Sequence, residues 1–223
     1  ADGALAAARV VASRLRGSVA QVARCSAAKV MLQDVLVRLP PHEVSFVAEE
    51  LADGALRHAT HPKTHSVVLM LVERYAEEAA TARLVDSLAT ESLADLCTHK
   101  FGNSVASAIL SCGVPRLQRH IITCLSSQAQ RFARHKFASQ LVEQALWLDG
   151  LPEHALLVAS LMSTRASVLR LACHCFGMHV VRGLLRVPAA REEVSAALLQ
   201  QQARLSKDRY GAQLLVQARC RTL

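Results

Sequence analysis

Polar and apolar positions follow one recurring frame along this chain. Four segments align without gaps: Leu96–Val105 (LCTHKFGNSV), Phe132–Leu141 (FARHKFASQL), Leu171–Val180 (LACHCFGMHV) and Leu205–Leu214 (LSKDRYGAQL). Each opens on an apolar residue and runs through several mostly polar ones. An aromatic, a small residue, two variable positions and a closing apolar residue follow. Two weaker copies lie upstream, Gln21–Val30 (QVARCSAAKV) and His58–Val67 (HATHPKTHSV). The closing positions Val30, Val67, Val105, Leu141, Val180 and Leu214 are separated by 37, 38, 36, 39 and 34 residues. Self-similarity at a near-constant period of this length is the mark of a repeat architecture.

The punctuation repeats as well. Pro40, Pro115, Pro152 and Pro188 follow their closing positions by 10, 10, 11 and 8 residues, with Gly113 and Gly150 just ahead of two of them. Glycine past a helix end and proline opening the next helix is the expected asymmetry. Each unit therefore reads as a helix carrying the motif, a turn, and a second amphipathic helix. The second helices are expected at 42–51, 116–125, 153–162 and 191–202. One such unit cannot bury its apolar face alone, so neighbours must stack. The expected fold is all-α, an α-solenoid. The aromatic (Phe101, Phe137, Phe176, Tyr210) is expected to pack between successive units. The small residue after it (Gly102, Ala138, Gly177, Gly211) is expected to let helices approach closely.

Composition agrees with this pattern. Of 223 residues, 52% are hydrophobic but only 4% aromatic, with 9 Gly and 6 Pro. Such a chain is too apolar for disorder and too poor in aromatics and turn residues for a sandwich or barrel. No apolar run reaches the ~20 residues a membrane helix needs. Leu5, Val10, Val11 and Leu15 have the spacing of an apolar stripe on an N-terminal amphipathic helix. The formal charge of +8 is uneven. Residues 1–112 carry 11 basic and 12 acidic side chains, and residues 113–223 carry 15 and 6. A basic half suits an anionic partner such as nucleic acid, or is simply a solvated surface. The seven cysteines (Cys25, Cys97, Cys112, Cys124, Cys173, Cys175, Cys220) are odd in number and irregularly spaced. They read as free thiols of a reducing compartment.

Catalytic signatures are missing: there is no Gly-rich phosphate loop, H-E-x-x-H or G-x-S-x-G. The expectation is a protein that is not an enzyme and holds no cofactor or metal. Cys173 and Cys175 lack a partner pair at finger spacing and are expected inside a repeat helix. His58, His61 and His65 have helical spacing, but Pro62 interrupts the helix there. Trp147 follows the fourth motif helix and is expected to pack at an interface.

The segments HKFGNSV, HKFASQLVEQ, CFGMHVV and DRYGAQLL resemble the Pumilio, or PUF, repeat family, and the resemblance covers nearly the whole chain. It implies about six three-helix repeats, centred near residues 30, 67, 105, 141, 180 and 214, in a curved superhelix over 1–223. Residues 1–20 are then the last helix of a preceding repeat. The resemblance also implies a concave RNA-binding surface lined by the motif helices, where a five-residue window on each helix meets one base. The first and fifth residues contact the base edge and the second stacks on it. Positions i and i+4 do share one helix face.

The six windows would be 28–32, 65–69, 103–107, 139–143, 178–182 and 212–216. Ser139 with Glu143 matches the family's code for guanine, because a carboxylate can accept both N–H groups of guanine's Watson–Crick edge. Asn103 with Ser107 is polar but not a standard pair, and Arg182 faces the apolar Met178. Leu32, Leu69 and Val216 cannot hydrogen-bond. At the stacking positions are Lys29, Ser66, Ser104, Gln140, His179 and Gln213, of which only His179 offers a ring. Lys100, Arg134, Lys136, Lys207 and Arg209 recur just ahead of the aromatic, where they either contact phosphate or form a solvated helix start.

The resemblance implies an RNA-binding protein controlling messages post-transcriptionally, cytoplasmic, with a guanine at the fourth unit and protein partners on the convex face. One alternative is a nucleolar or organellar protein binding structured or ribosomal RNA. Another is a helical scaffold that holds proteins instead.

Overall fold

The computed structural model describes residues 2–148 and 150–219. Helices form where the punctuation places them, and no strand occurs among the described residues. The chain divides into two units, Ala1–His120 and Ile121–Leu223. The first opens with α1 (Asp2–Leu15). Three-helix sets follow: α2 (Val19–Arg24), α3 (Ser26–Arg38) and α4 (Pro41–Ala52), then α5 (Ala55–Thr60), α6 (His65–Tyr75) and α7 (Ala79–Glu91). Next come α8 (Leu93–Thr98), α9 (Gly102–Ser111) and α10 (Pro115–Ser127), within which the first unit ends. The second unit continues with α11 (Ala129–Phe132), α12 (Ala138–Ala145) and α13 (Pro152–Leu161), then α14 (Arg165–Ala172), α15 (Gly177–Leu184) and α16 (Pro188–Gln200). It closes on α17 (Gln202–Leu205) and α18 (Arg209–Arg219). The motif helices are α3, α6, α9, α12, α15 and α18. The expected two-helix unit thus gains a short leading helix, as the family resemblance implied.

Proline opens α4, α13 and α16 at the first helical turn, where its missing N–H is no loss. Gly113 (φ +74°) and Gly150 (φ +91°) take the left-handed conformation in the turns that follow α9 and α12. The short leading helices start on borrowed acceptors. Glu50 accepts from the amides of Gly17 (2.6 Å) and Val19 (3.0 Å) ahead of α2. Glu91 accepts from Leu56 at 3.2 Å in α5. Ser92 and Thr164 cap α8 and α14 with their own hydroxyls.

The core is a stripe two residues wide on each motif helix. Val67, Val68, Leu71 and Val72 are buried in α6, as are Val105, Ala106, Ile109 and Leu110 in α9. The same frame buries Leu141, Val142, Ala145 and Leu146 along α12, and Val180, Val181, Leu184 and Leu185 along α15. Each such Leu or Val contributes roughly 1.5–3 kcal/mol by leaving water. This spacing makes each motif helix pack on the next, α3 on α6 on α9 in the first unit and α12 on α15 on α18 in the second. In the first unit α4 also packs along α7. Tyr75 at the end of α6 donates its hydroxyl to the Leu36 carbonyl of α3, so a buried phenol is satisfied.

Two local expectations are corrected. In α1 the buried residues are Ala8 and Ala12, while Val10 is exposed. The helix packs on α3 through small residues rather than through the full aliphatic stripe. Cys173 and Cys175 are not helical, because α14 ends at Ala172 and both lie in the turn before α15, partly exposed. Cys220 lies outside the described residues, and the six described cysteines are free thiols.

The small residue after the aromatic holds each motif helix against the helix before it. A Cβ on Gly177 would sit 2.6 Å from the Leu171 carbonyl oxygen and 2.9 Å from its Cα, and one on Gly102 would sit 2.6 Å from the Leu96 carbonyl. Backbone atoms there cannot yield as a side chain can. Gly177→Ala should therefore destabilise the protein by about 1–3 kcal/mol, read as a lower urea midpoint with unchanged m. An unchanged midpoint would show that the close approach is not needed.

Candidate nucleic-acid interface

An acceptor side chain sets the start of five of the six motif helices. The Nδ1 of His99 accepts the amides of Phe101 (3.2 Å) and Gly102 (3.4 Å). His135 does the same for Phe137 and Ala138, and His174 for Phe176 and Gly177. His61 caps Lys63 and Thr64, so one member of the histidine cluster is a cap. In the last repeat Asp208 Oδ1 accepts from Tyr210 (2.9 Å) and Gly211 (2.8 Å). In the first, the nearby amides of Ala28 and Ala27 hold the Cys25 thiol below the ordinary thiol range, but no side-chain cap bond forms there. The carbonyl of each anchor then accepts the amide four residues on, from Lys29, His65, Asn103, Ser139, Met178 and Ala212.

These bonds set one register for all six repeats and correct the first window. Cys25 stands where His99 stands, so the window is Lys29-Val30-Met31-Leu32-Gln33, one residue later than the sequence alignment placed it. Burial agrees. Leu32 is 0% exposed and belongs to the core, whereas Val30 is 62% exposed at the stacking position. The first window therefore carries a polar pair, Lys29 and Gln33, both half-buried.

The remaining windows keep the expected register. Asn103, Ser139 and Met178 are recessed and buried, while the fifth positions Ser107, Glu143 and Arg182 are half-buried. The stacking residues Ser104, Gln140, His179 and Gln213 are exposed. Among the described residues the side chains of Ser139 and Glu143 make no hydrogen bond or ion pair, and the buried Nε of Arg182 has no partner. The windows of α6 and α18 differ. His65 is stacked on Phe101 of the following repeat, with ring centroids 4.7 Å apart and planes at 25°. Val216 leaves an apolar side chain 63% exposed at the fifth position.

The basic residues ahead of the aromatic are exposed and several share one geometry. Lys100 lies over Phe101 (5.4 Å), Lys136 over Phe137 (5.4 Å) and Arg209 over Tyr210 (5.8 Å). Each ring thus holds its neighbouring cation by cation–π attraction. In two of the three, the anchor histidine tilts against the same ring, at 5.8 Å for His99 and 6.0 Å for His135. Arg134 is tied by its Nε to the Gln130 carbonyl, and Lys207 lies in the turn before α18. Trp147 is no interface residue as expected. It is 58% exposed with the Arg186 guanidinium over its ring.

No family model matches the sequence, and no curated protein matches it. Solved structures do. PUF-8 in complex with PBE-RNA is 19% identical with a TM-score of 0.83, over 93% of this chain and 60% of that one. The Puf3 RNA-binding domain bound to a Cox17 RNA 3′ UTR recognition sequence is 17% identical with a TM-score of 0.79, over 93% and 63%. The RNA-binding domain of yeast Puf5p bound to AAT2 RNA is 15% identical with a TM-score of 0.75, over 90% and 57%. The fold of this chain is therefore that of the PUF domains, an all-α solenoid of three-helix repeats. The chain spans about three-fifths of the length of the first two of these structures.

His174 makes the fold sensitive to acid. Burial, and secondarily the charge of Arg134, push the pKa of His174 below its ordinary value. The folded state thus favours the neutral ring. The stabilisation is complete above the unfolded pKa of about 6.5 and is lost as pH falls through it towards the folded value. His58 shifts the same way, chiefly through burial. Melting temperature should fall between pH 7 and pH 5. His174→Asp, which installs the acceptor already used at Asp208, should flatten that fall, and His174→Ala should cost about 1 kcal/mol at pH 7. Equal pH slopes in wild type and His174→Asp would remove His174 from this account.

Proposed function

We propose that the protein binds single-stranded RNA through the windows of its motif helices, and that Ser139 with Glu143 selects a guanine. The observation that carries this reading is Glu143, a half-buried carboxylate on the window face with no partner among the described residues. A carboxylate so placed needs donors. Guanine presents two N–H groups side by side, and the Ser139 hydroxyl lies one helical turn away. Exposed Gln140 and His179 are placed to stack on bases, as single-strand binders do with rings and flat polar groups. Lys100, Lys136 and Arg209, held over their rings, supply repeated cations for phosphate.

The pairs Lys29/Gln33 and Asn103/Ser107 extend base contact into the first unit, while Leu69 and Val216 leave two windows without edge contacts. Readout is therefore partial and combines with backbone attraction. The solved PUF domains with 3′ UTR sequences support a message as the target, and crosslinking with sequencing of bound RNA distinguishes it from ribosomal RNA.

Binding to oligonucleotides carrying each base in turn should favour guanine at one position. Glu143→Gln should reduce that affinity by about 10- to 100-fold and abolish the preference. Affinity should fall with salt, and Lys136→Ala or Arg209→Ala should each reduce the slope by roughly 0.7. A flat salt dependence together with an unchanged base preference in Glu143→Gln would refute the reading.

A further inference from the structure

Trp147 is the chain's single tryptophan. It extends the window face of α12, since Ser139, Glu143 and Trp147 recur at every fourth residue. Although α12 ends at Ala145, Leu146 keeps φ −66° and ψ −14°, and the Trp147 amide bonds the Gln144 carbonyl at 3.1 Å. The helical path thus carries through to the ring. On α15 the residues Met178, Arg182 and Arg186 recur in the same way, with the Arg186 amide bonded to Gly183 at 2.9 Å.

The two helices run side by side. Glu143 Cγ lies 3.8 Å from the place a Cβ on Gly183 would occupy. One turn further on, the Arg186 guanidinium lies 5.4 Å from the centre of the Trp147 ring. The fold makes little use of this pair. Trp147 is 58% exposed, its indole N–H bonds nothing among the described residues, and no described carboxylate pairs with Arg186.

We propose that Trp147 and Arg186 form an accessory nucleotide site, in which a base stacks on the open face of the indole and Arg186 pairs with its phosphate. This rests on the RNA reading above. The site stands about 5.4 Å, one helical turn, from Glu143 on the same face. A nucleotide beside the selected guanine therefore reaches it by turning along the helix rather than across it. Base–aromatic stacking is indifferent to base identity, so the site adds affinity without adding a letter to the code. A guanidinium over the ring that meets no carboxylate among the described residues suits a phosphate better than the apolar side chain of a protein partner.

The single tryptophan makes the test direct. The chain is titrated with the guanine-containing oligonucleotide and with a set bearing one abasic nucleotide at each position in turn. Binding is followed by labelled-RNA anisotropy and by tryptophan emission. Emission should be quenched on binding, and one abasic position other than the guanine should abolish the quench. Trp147→Ala should weaken binding by about 5- to 100-fold, Trp147→Phe should retain most of the affinity, and both should keep the guanine preference. Circular dichroism of the variants checks that they fold. If RNA binds with a Glu143-dependent preference but emission does not move and Trp147→Ala binds as wild type, the accessory site is wrong and the RNA reading stands. Loss of a protein partner by Trp147→Ala with RNA affinity intact would also overturn it. Absence of any RNA binding by anisotropy would overturn both.

Discussion

Five of the six motif helices begin where one side-chain acceptor bonds the amides two and three residues on. Imidazole does this at His61, His99, His135 and His174 and a carboxylate at Asp208, while at Cys25 only the carbonyl takes part. The first amides of a helix have no partner within it, so a cap that satisfies two of them fixes the starting residue. The carbonyl of the same residue takes the amide four positions on, and the register follows. Burial of the two-residue stripe, the approach of Gly177 to the Leu171 carbonyl, and the identity of the window residues all depend on that start. Moving the start by one residue turns every later side chain by about 100°, which would swap core and window positions.

That dependence separates fold from recognition. The stripe residues face neighbouring helices and answer to packing, so they vary little in size or polarity. The window residues face outward and answer only to whatever binds there. Apolar Leu69 and exposed Val216 therefore cost the fold little, while among the described residues the Glu143 carboxylate and the Arg182 Nε go without partners and the helices that carry them are undisturbed. One architecture can hold polar windows beside blank ones, and a repeat can change its ligand chemistry without changing its core.

The basic character of the second half acquires a physical form in the same way. Lys136 and Arg209 lie over the rings of Phe137 and Tyr210, as Lys100 does over Phe101 in the first unit. A cation resting on a ring samples fewer rotamers than a free one, so less entropy is lost on meeting a phosphate. Arg186 over Trp147 is the same device at the far end of a motif helix.

The period, the helical class and the positions of Pro115, Pro152 and Pro188 were legible in the chain, because each rests on local rules of spacing and turn chemistry, while the frame of the windows came from the family resemblance. The anchor column was present in the aligned segments as His, His, His and Asp, yet composition hides it. Imidazole and carboxylate share only a lone pair, and the role shows once the amides they meet are in place. Hence the first window was displaced by a residue, since Val30 and Met31 are equally apolar and only the bonds to Cys25 distinguish them. Trp147 and the Cys173–Cys175 turn escaped for a related reason. Exposure depends on which neighbouring helix reaches a position, and that distance is not written in any one segment. The sequence alone determined what recurs along the chain. The tertiary structure decided which residue of each recurrence faces the core and which faces outward, because that choice is made by contacts between helices about 35 residues apart in the chain.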